Sequence, residues 1–110
     1  MSTLRNKVQL IGNAGNDPEI ITTESGKKLA KLTLATNETY KNEMGEKITD
    51  TQWHNVVAWG KTAELIEKYV TKGKEVAFEG KLTHRTYDDK NGDKRYSTEV
   101  VVAEMLLLGK

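Results

Sequence analysis

Residues 60–62 of this chain read Gly-Lys-Thr, which is the ending of a nucleotide-binding P-loop. A P-loop needs a first glycine five residues before the second one, and Asn55 stands at that position. The residues between them, 56–59, read Val-Val-Ala-Trp and are typical of a strand, whereas a phosphate-binding loop must wrap its backbone around the ligand. The sequence therefore argues against a nucleoside triphosphatase.

The other candidates for catalysis or metal binding also lack partners in the sequence. Neither His54 nor His84 has a second histidine or a cysteine at ligand spacing. The acidic stretch 88–93 contains a glycine, as calcium-binding loops do, but the first aspartate of such a loop would have to stand at Tyr87. No nucleophile is accompanied by an evident base. We therefore predict a protein that is not an enzyme and that has no catalytic residues, no bound metal and no cofactor.

Aromatic residues near cations carry the strongest chemical signal. Trp53 and Trp59 are six residues apart, which places them on one face of an extended strand, about 20 Å from each other. Tyr40, Tyr87 and Trp59 each lie within two residues of a lysine or arginine. Exposed rings can stack on nucleic-acid bases while cations contact the phosphates, an arrangement that tolerates any base sequence. The alternative is that these rings only close hairpins and pack against the core.

Most of the chain alternates between apolar and polar residues, which is the period of a half-buried strand. In residues 30–36 the alternation puts Ala30, Leu32 and Leu34 on one face. Phe78 is in phase with the apolar residues of its strand and Tyr69 with those of a predicted helix, so we expect both rings to be packed. The predicted strands cover residues 7–11, 30–36, 49–60, 76–82 and 95–103, the last with an extension toward residue 108.

The connections between these strands indicate the fold class. Polar segments with a glycine, at 42–45 and 89–93, predict two long hairpins. Between the third and fourth strands, Thr62 can cap a helix and Gly73 can end it in the left-handed conformation. Three strands, a helix and two strands in about a hundred residues predict an all-β, five-stranded OB-fold, which is a Greek-key barrel, with one α-helix between strands 3 and 4.

The composition fits a single small domain that spans residues 1–110. Seventeen basic and sixteen acidic residues give a net charge of +1, so composition alone does not indicate a nucleic-acid-binding protein. No apolar run approaches the roughly 20 residues of a membrane span, and the N-terminus lacks the apolar stretch of a signal peptide. The chain has no cysteine, which excludes disulfides and thiolate metal sites. We therefore expect a cytoplasmic protein that does not contact a membrane.

Over nearly its whole length the chain resembles the bacterial single-stranded DNA-binding protein family. The order and spacing of several short motifs carry the resemblance, and no single motif decides it. The motifs are Asn6-Lys7-Val8-Gln9-Leu10-Ile11-Gly12-Asn13, Asp17-Pro18-Glu19, Leu34-Ala35-Thr36-Asn37-Glu38, Trp53-His54-Asn55-Val56-Val57, Trp59-Gly60-Lys61, Tyr69-Val70-Thr71-Lys72-Gly73, Glu79-Gly80-Lys81-Leu82 and Tyr96-Ser97-Thr98-Glu99-Val100-Val101-Val102.

The resemblance implies an OB-fold protein that coats and protects single-stranded DNA in replication, recombination and repair, in the cytoplasm and associated with the nucleoid. Tyrosine at positions 40 and 87 replaces the commoner tryptophan of the family, and position 59 is often phenylalanine there. The family's base-stacking positions fall on Tyr40, Trp53, Trp59 and Tyr87. The phosphate contacts that the match implies are Lys31, Lys41, Lys61, Lys72 and Arg85.

The resemblance also implies an assembly. Members of the family usually form homotetramers, and His54 matches a histidine that lies at a subunit interface in them. Repeated grooves in a tetramer would present a concentrated basic surface even though the net charge of one chain is only +1.

Two further points stay open on the sequence. Cellular members carry a flexible linker and an acidic tail that recruits replication and repair proteins, whereas the last residues here are Leu108-Gly109-Lys110. Either a tail has been removed or the protein lacks one, so we expect those partners only if a tail exists beyond this chain. Two other OB-fold proteins fit the pattern: an interaction module of a primosome or plasmid, which could be dimeric, and an RNA-binding protein of the cold-shock kind, whose aromatic motifs are not found here.

Overall fold

The computed structural model describes residues 5–108, and strands make up most of them. Each segment predicted to be a strand forms one, and most of these strands run further than the apolar alternation indicates. In chain order the elements are β1 (Val8–Ala14), β2 (Glu19–Thr22), β3 (Lys28–Lys41), β4 (Lys47–Trp59), α1 (Gly60–Tyr69), β5 (Glu75–Asp88) and β6 (Lys94–Leu107).

Five of the strands that the structure describes close into a barrel. β3 pairs with β4, β4 runs parallel to β6, β6 pairs with β5, and β5 pairs with β1, whose end returns to β3. The short strand β2 pairs with the beginning of β3, lies outside this ring and has no counterpart among the predicted strands. The predicted five-stranded OB-fold, with its helix between the third and fourth barrel strands, is confirmed.

The core of the barrel consists of inward-facing apolar residues. Ala30, Leu32 and Leu34 of β3 are buried on one face, as their alternation predicts. Val56 and Ala58 of β4 pair with Leu32 and Ala30 and are buried on the same face. The helix packs against β3, β4 and β6 and contributes further apolar residues to this cluster. The outer faces of these strands are thereby left available to carry other side chains.

The helix differs from its prediction at both ends. α1 begins at Gly60, whose φ of +62° lets β4 turn directly into the helix. The N-cap position is Trp59 and no side-chain cap bond forms, so the prediction that Thr62 caps the helix is wrong. Gly73 has the predicted left-handed φ, but it lies in a turn that follows the last helical residue, Tyr69.

Of the two rings expected to pack, one is buried and one is not. Phe78 is only 2% exposed, which confirms that its ring lies in the core. The expectation for Tyr69 is wrong, because its ring is exposed. Ala63 and Ile66 of α1, with Val70 directly after it, form a buried stripe, and Tyr69 lies beside that stripe.

Beyond the barrel, two hairpins extend as arms. We call residues 36–52 the first arm, in which β3 pairs with β4, and residues 83–98 the second arm, in which β5 pairs with β6. The parallel pairing of β4 with β6 covers residues 55–57 and 99–101, so the arms separate where that pairing ends. Most arm residues are exposed. Both predicted hairpins are confirmed at the arm tips, where Gly45 and Gly92 take positive φ.

Candidate nucleic-acid interface

The register of β3 with β4 places both tryptophans on the outer face of the barrel. Trp53 pairs with Ala35 and Trp59 with Leu29, and the register is continuous between these pairs, so the prediction that the two rings share a face is confirmed. Trp53 is 64% exposed and Trp59 is also exposed. Both rings can therefore be reached by a ligand that lies along this face.

A glycine positions the ring of Trp53. A Cβ atom at Gly15 would lie 2.6 Å from Cζ3 of Trp53 and 2.5 Å from Oγ1 of Thr33, so no larger residue fits there without displacing the ring. The turn that contains Gly15 is tied to β3, because Oδ1 of Asn16 accepts hydrogen bonds from the backbone N–H (2.9 Å) and the hydroxyl (2.8 Å) of Thr33. The indole thus rests against a fixed backbone while most of its surface stays exposed.

The second arm continues the outer face that carries Trp53. Glu99 of β6 pairs both with Asn55 of β4 and with Thr83 of β5, so these three side chains lie on one face. Every second residue along each strand shares that face. The face therefore also carries Trp53, Arg85 and Tyr87.

A pocket of about 400 Å³ lies between the second arm and residues 53–55 of β4, close to the point where the two arms separate. Three aromatic residues line it, Trp53, Tyr87 and Tyr96, together with polar residues that include His54 and Ser97. Tyr96 is 77% exposed, which makes it the most exposed aromatic side chain in residues 5–108. Sequence reasoning missed Tyr96, although the adjacent Arg95 gave the same signal that singled out Tyr40 and Tyr87.

Tyr40 is not brought together with the tryptophans. It pairs with Ile48 and stands five residues from Ala35, the partner of Trp53, so its side chain projects from the opposite face of the first arm. The ring is exposed. A strand of nucleic acid that contacts both Trp53 and Tyr40 must therefore pass from one face of the arm to the other.

His54 lies on the face that continues the barrel interior and is half-buried. Its Nε2 is 3.0 Å from the hydroxyl oxygen of Thr36, across the first arm. The second arm has a matching pair, in which Nδ1 of His84 is 2.9 Å from the hydroxyl oxygen of Thr98. The role of His54 in a subunit interface stays a prediction.

The predicted phosphate contacts are spread over the surface. Lys31 lies on the outer face in the row between the two tryptophans, half-buried beside its pairing partner Glu19. Lys41 is exposed at the end of the first arm, Lys61 is exposed in the first turn of α1, and Lys72 is exposed in the turn before β5. Lys31 thus shares the face of the tryptophans, and Lys61 follows Trp59 by two residues.

Ion pairs hold the two arginines of the second arm. Nη2 of Arg85 lies 3.4 Å from Oε2 of Glu99, whose side chain is mostly buried. Nε of Arg95 donates a hydrogen bond of 2.8 Å to Oδ2 of Asp89. That hydrogen bond, followed by one from the backbone N–H of Asp93, holds the pKa of Asp89 below its ordinary value. Arg85 therefore stands at the candidate interface already in contact with a carboxylate.

Residues 5–108 show neither a metal-binding cluster nor a membrane-spanning helix. They contain no group of three or more His, Cys, Asp or Glu side chains arranged to hold a metal ion. None of their helices is long and apolar enough to cross a membrane.

Comparison with known proteins gives consistent matches. The model of the Single-strand binding protein family matches residues 5–108. Single-stranded DNA-binding protein 1 of Chlorobaculum tepidum is 49% identical over 94% of this chain, and the protein of the same name from Xylella fastidiosa is 42% identical over 96%. The chain spans 65% of the length of the C. tepidum protein and 78% of that from X. fastidiosa.

A solved structure is similar throughout. It is described as Plasmodium falciparum SSB complex with ssDNA, and it superimposes with a TM-score of 0.88 at 30% sequence identity. The similarity covers 99% of this chain and 99% of the other one.

Proposed function

This chain belongs to the single-strand binding protein family, and we propose that it binds single-stranded DNA with little preference for base sequence. The observation that carries the proposal is the outer face, on which Trp53 of β4 lies with Arg85 and Tyr87 of β5, with β6 between these two strands. The similarity over 99% of the chain to a relative solved with single-stranded DNA supports the same ligand.

The mechanism is stacking combined with neutralisation of phosphate charge. Bases stack on exposed rings for about 1–3 kcal/mol each, and every base offers a flat face, so the sequence of the DNA matters little. We assign the stacking to Tyr40, Trp53, Trp59 and Tyr87, and the phosphate contacts to Lys31, Lys41, Lys61, Lys72 and Arg85. Bound phosphates release their counterions, so affinity falls as the salt concentration rises.

In the cell we propose that the protein coats and protects single-stranded DNA during replication, recombination and repair, without catalysing a reaction. This role implies a cytoplasmic location in association with the nucleoid. Binding without base specificity serves it, because any exposed strand must be covered. Recruitment of replication and repair proteins is proposed only for a form that carries an acidic tail.

We also propose that the protein assembles as a homotetramer. Ile11 of β1 pairs with Ala77 of β5, which pairs with Leu106 of β6, so these three apolar residues form a row on the outer face of the barrel. Ile11 is 61% exposed and Leu106 is 63% exposed, a surface that a second copy would cover. His54, on another part of the barrel, is the proposed contact of a second interface. Sedimentation equilibrium separates a tetramer from the dimer expected of an interaction module.

Titration with oligothymidine tests the proposed function. Binding quenches tryptophan fluorescence at low salt, because Trp53 and Trp59 are exposed on the proposed path, and the quenching is reversed by added salt. A DNA duplex of the same length serves as the control and quenches little. If tryptophan fluorescence does not change and the protein does not retain the oligomer at low salt, the proposed function is wrong. Competition between matched DNA and RNA oligomers decides between this function and that of an RNA-binding OB-fold protein.

A further inference from the structure

We propose that Tyr96 is a base-stacking residue, which binds a base of the single strand in the pocket between the second arm and residues 53–55 of β4. The inference rests on the proposed function and adds to it a ring that lies outside the four positions matched to the family. Tyr96 is 77% exposed, so its ring contributes little to the core of the barrel. The ring is therefore available to a ligand at small cost in stability.

The position of Tyr96 continues the proposed DNA path. Tyr96 lines the same pocket as Trp53 and Tyr87, and the pocket volume of about 400 Å³ falls within the range of about 300–1,000 Å³ typical of small-ligand sites. Ser97 and Thr98 add hydroxyl groups to the pocket wall. A base stacked on Tyr96 would thus lie next to bases bound by the two neighbouring rings.

Tyr96 projects from a different face of the second arm than Tyr87, and this position extends the proposed DNA path. Tyr96 pairs with Thr86 and Tyr87 pairs with Arg95, so the two tyrosines project from opposite faces of the arm although both border the pocket. Trp53 shares the outer face with Tyr87, whereas Tyr96 lies on the face that continues the barrel interior. Tyr40 lies on the corresponding face of the first arm. Tyr96 therefore stands where a strand would cross from the outer face toward Tyr40.

The neighbours of Tyr96 hold it in place. On its own face, the adjacent pair of His84 and Thr98 bridges the two strands of the arm at 2.9 Å. Arg95, the preceding residue, projects from the opposite face of the arm and is held at 2.8 Å by Asp89. An exposed ring on a paired β-ribbon can stack on a base of a single strand.

The test compares variants of Tyr96 that distinguish the loss of the aromatic ring from a loss of strand propensity. Tyr96→Thr removes the ring but keeps a residue that favours strands, and it should weaken oligothymidine binding by about 5-fold or more. Tyr96→Phe keeps the ring and should bind within about 2-fold of the original chain. Tyr69→Ala is the control, because Tyr69 is an exposed tyrosine at the end of α1, outside the pocket, and its loss should not change the affinity. Circular dichroism and the sedimentation mass are measured on every variant.

A cross-linking experiment reads the contact directly. Oligomers that carry 5-iodouracil are irradiated with the original protein, digested with trypsin and analysed by mass spectrometry. Cleavage after Arg85, Lys90 and Arg95 puts Tyr87 and Tyr96 in different peptides, so the two rings are distinguished. We expect cross-links in the peptide that begins at Tyr96.

The outcomes are separable. If the original protein binds oligothymidine and Tyr96→Thr binds equally well without a cross-link at Tyr96, the inference is wrong and the proposed function stands. If Tyr96→Thr changes the sedimentation mass, the ring contacts another subunit and the inference is also wrong. If the original protein does not bind oligothymidine, the proposed function is wrong, and the inference about Tyr96 that rests on it is wrong as well.

Discussion

The barrel half of β3 and its arm half differ in their surroundings although they form one continuous strand. In the barrel, Leu32 and Leu34 are buried on one face, whereas in the first arm both faces of the ribbon are exposed and Tyr40 projects into solvent. β5 divides in the same way, with Phe78 buried in the barrel and Tyr87 exposed on the arm. The barrel therefore supplies the stability of the fold. The same strands continue into the arms and hold rings that contribute little to the core.

The largest expected effect is the loss of a core ring. Phe78→Ala should lower the free energy of unfolding by about 3–5 kcal/mol, because it leaves a cavity in the hydrophobic core of the barrel. Urea denaturation followed by circular dichroism measures the loss. Tyr40→Ala, an exposed ring on the first arm, is the matched control and should change the free energy of unfolding by less than about 0.5 kcal/mol. Equal losses for the two variants would contradict the division between barrel and arms.

At Trp53 we expect a large loss of DNA binding and a small loss of stability. Trp53→Ala should weaken oligothymidine binding by about 1–3 kcal/mol while the free energy of unfolding changes far less than in Phe78→Ala, because the indole is 64% exposed and rests on Gly15. Isothermal titration calorimetry and urea denaturation on one preparation give both values. Collapse of the circular dichroism spectrum would instead identify Trp53 as a structural residue.

The barrel side of this comparison could be predicted from the sequence. The alternation in residues 30–36 arises because one side of the strand is buried. It therefore predicted correctly that Ala30, Leu32 and Leu34 face inward. The prediction ended at Thr36, but β3 continues to Lys41. Beyond Thr36 both faces meet solvent, so the apolar alternation stops although pairing with β4 does not.

The faces of the rings could be predicted only in part. Counting along one strand correctly put Trp53 and Trp59 on one face. Tyr40 lies on the neighbouring strand β3, beyond Thr36 where the apolar alternation stops, so its face could be assigned only once β3 was known to continue to Lys41. Tyr96 carried a usable signal in the adjacent Arg95, and its exposure became evident only from the structure.

A smaller effect is expected from the carboxylate that contacts Arg85. Glu99→Gln removes a negative charge from the outer face and frees Arg85 for a phosphate, so oligothymidine binding should become tighter by up to about 5-fold at low salt. Fluorescence titration at several salt concentrations measures the change. Glu24→Gln, an exposed carboxylate in the turn between β2 and β3, makes the same change in net charge. A gain of equal size in both variants would mean that net charge alone acts and that Glu99 does not compete with phosphate.

The smallest effect is expected at the tips of the two arms. Both tips form the same turn, but different side chains stabilise it. Asn42 in the first arm and Asp89 in the second each accept, through Oδ1, two backbone N–H hydrogen bonds of 2.9 Å from residues two and four positions later. Of these two acceptors only the aspartate titrates. The hydrogen bond from Arg95 holds the pKa of Asp89 below its ordinary value of 3.8.

Because the folded pKa of Asp89 is the lower one, its carboxylate stabilises the second tip fully above the ordinary value, and that contribution is lost as the pH falls through the folded pKa. The amide chemical shift of Asn91, whose N–H donates to the Asp89 carboxylate, should therefore move as the pH falls below 3.8, and it should move further than that of Met44 in the first tip. Asp89→Asn should keep the turn, since Asn42 builds the same one, and should remove this dependence on pH. If the second tip of Asp89→Asn titrates as before, another group controls it and the two turns differ for a reason other than the charge of Asp89.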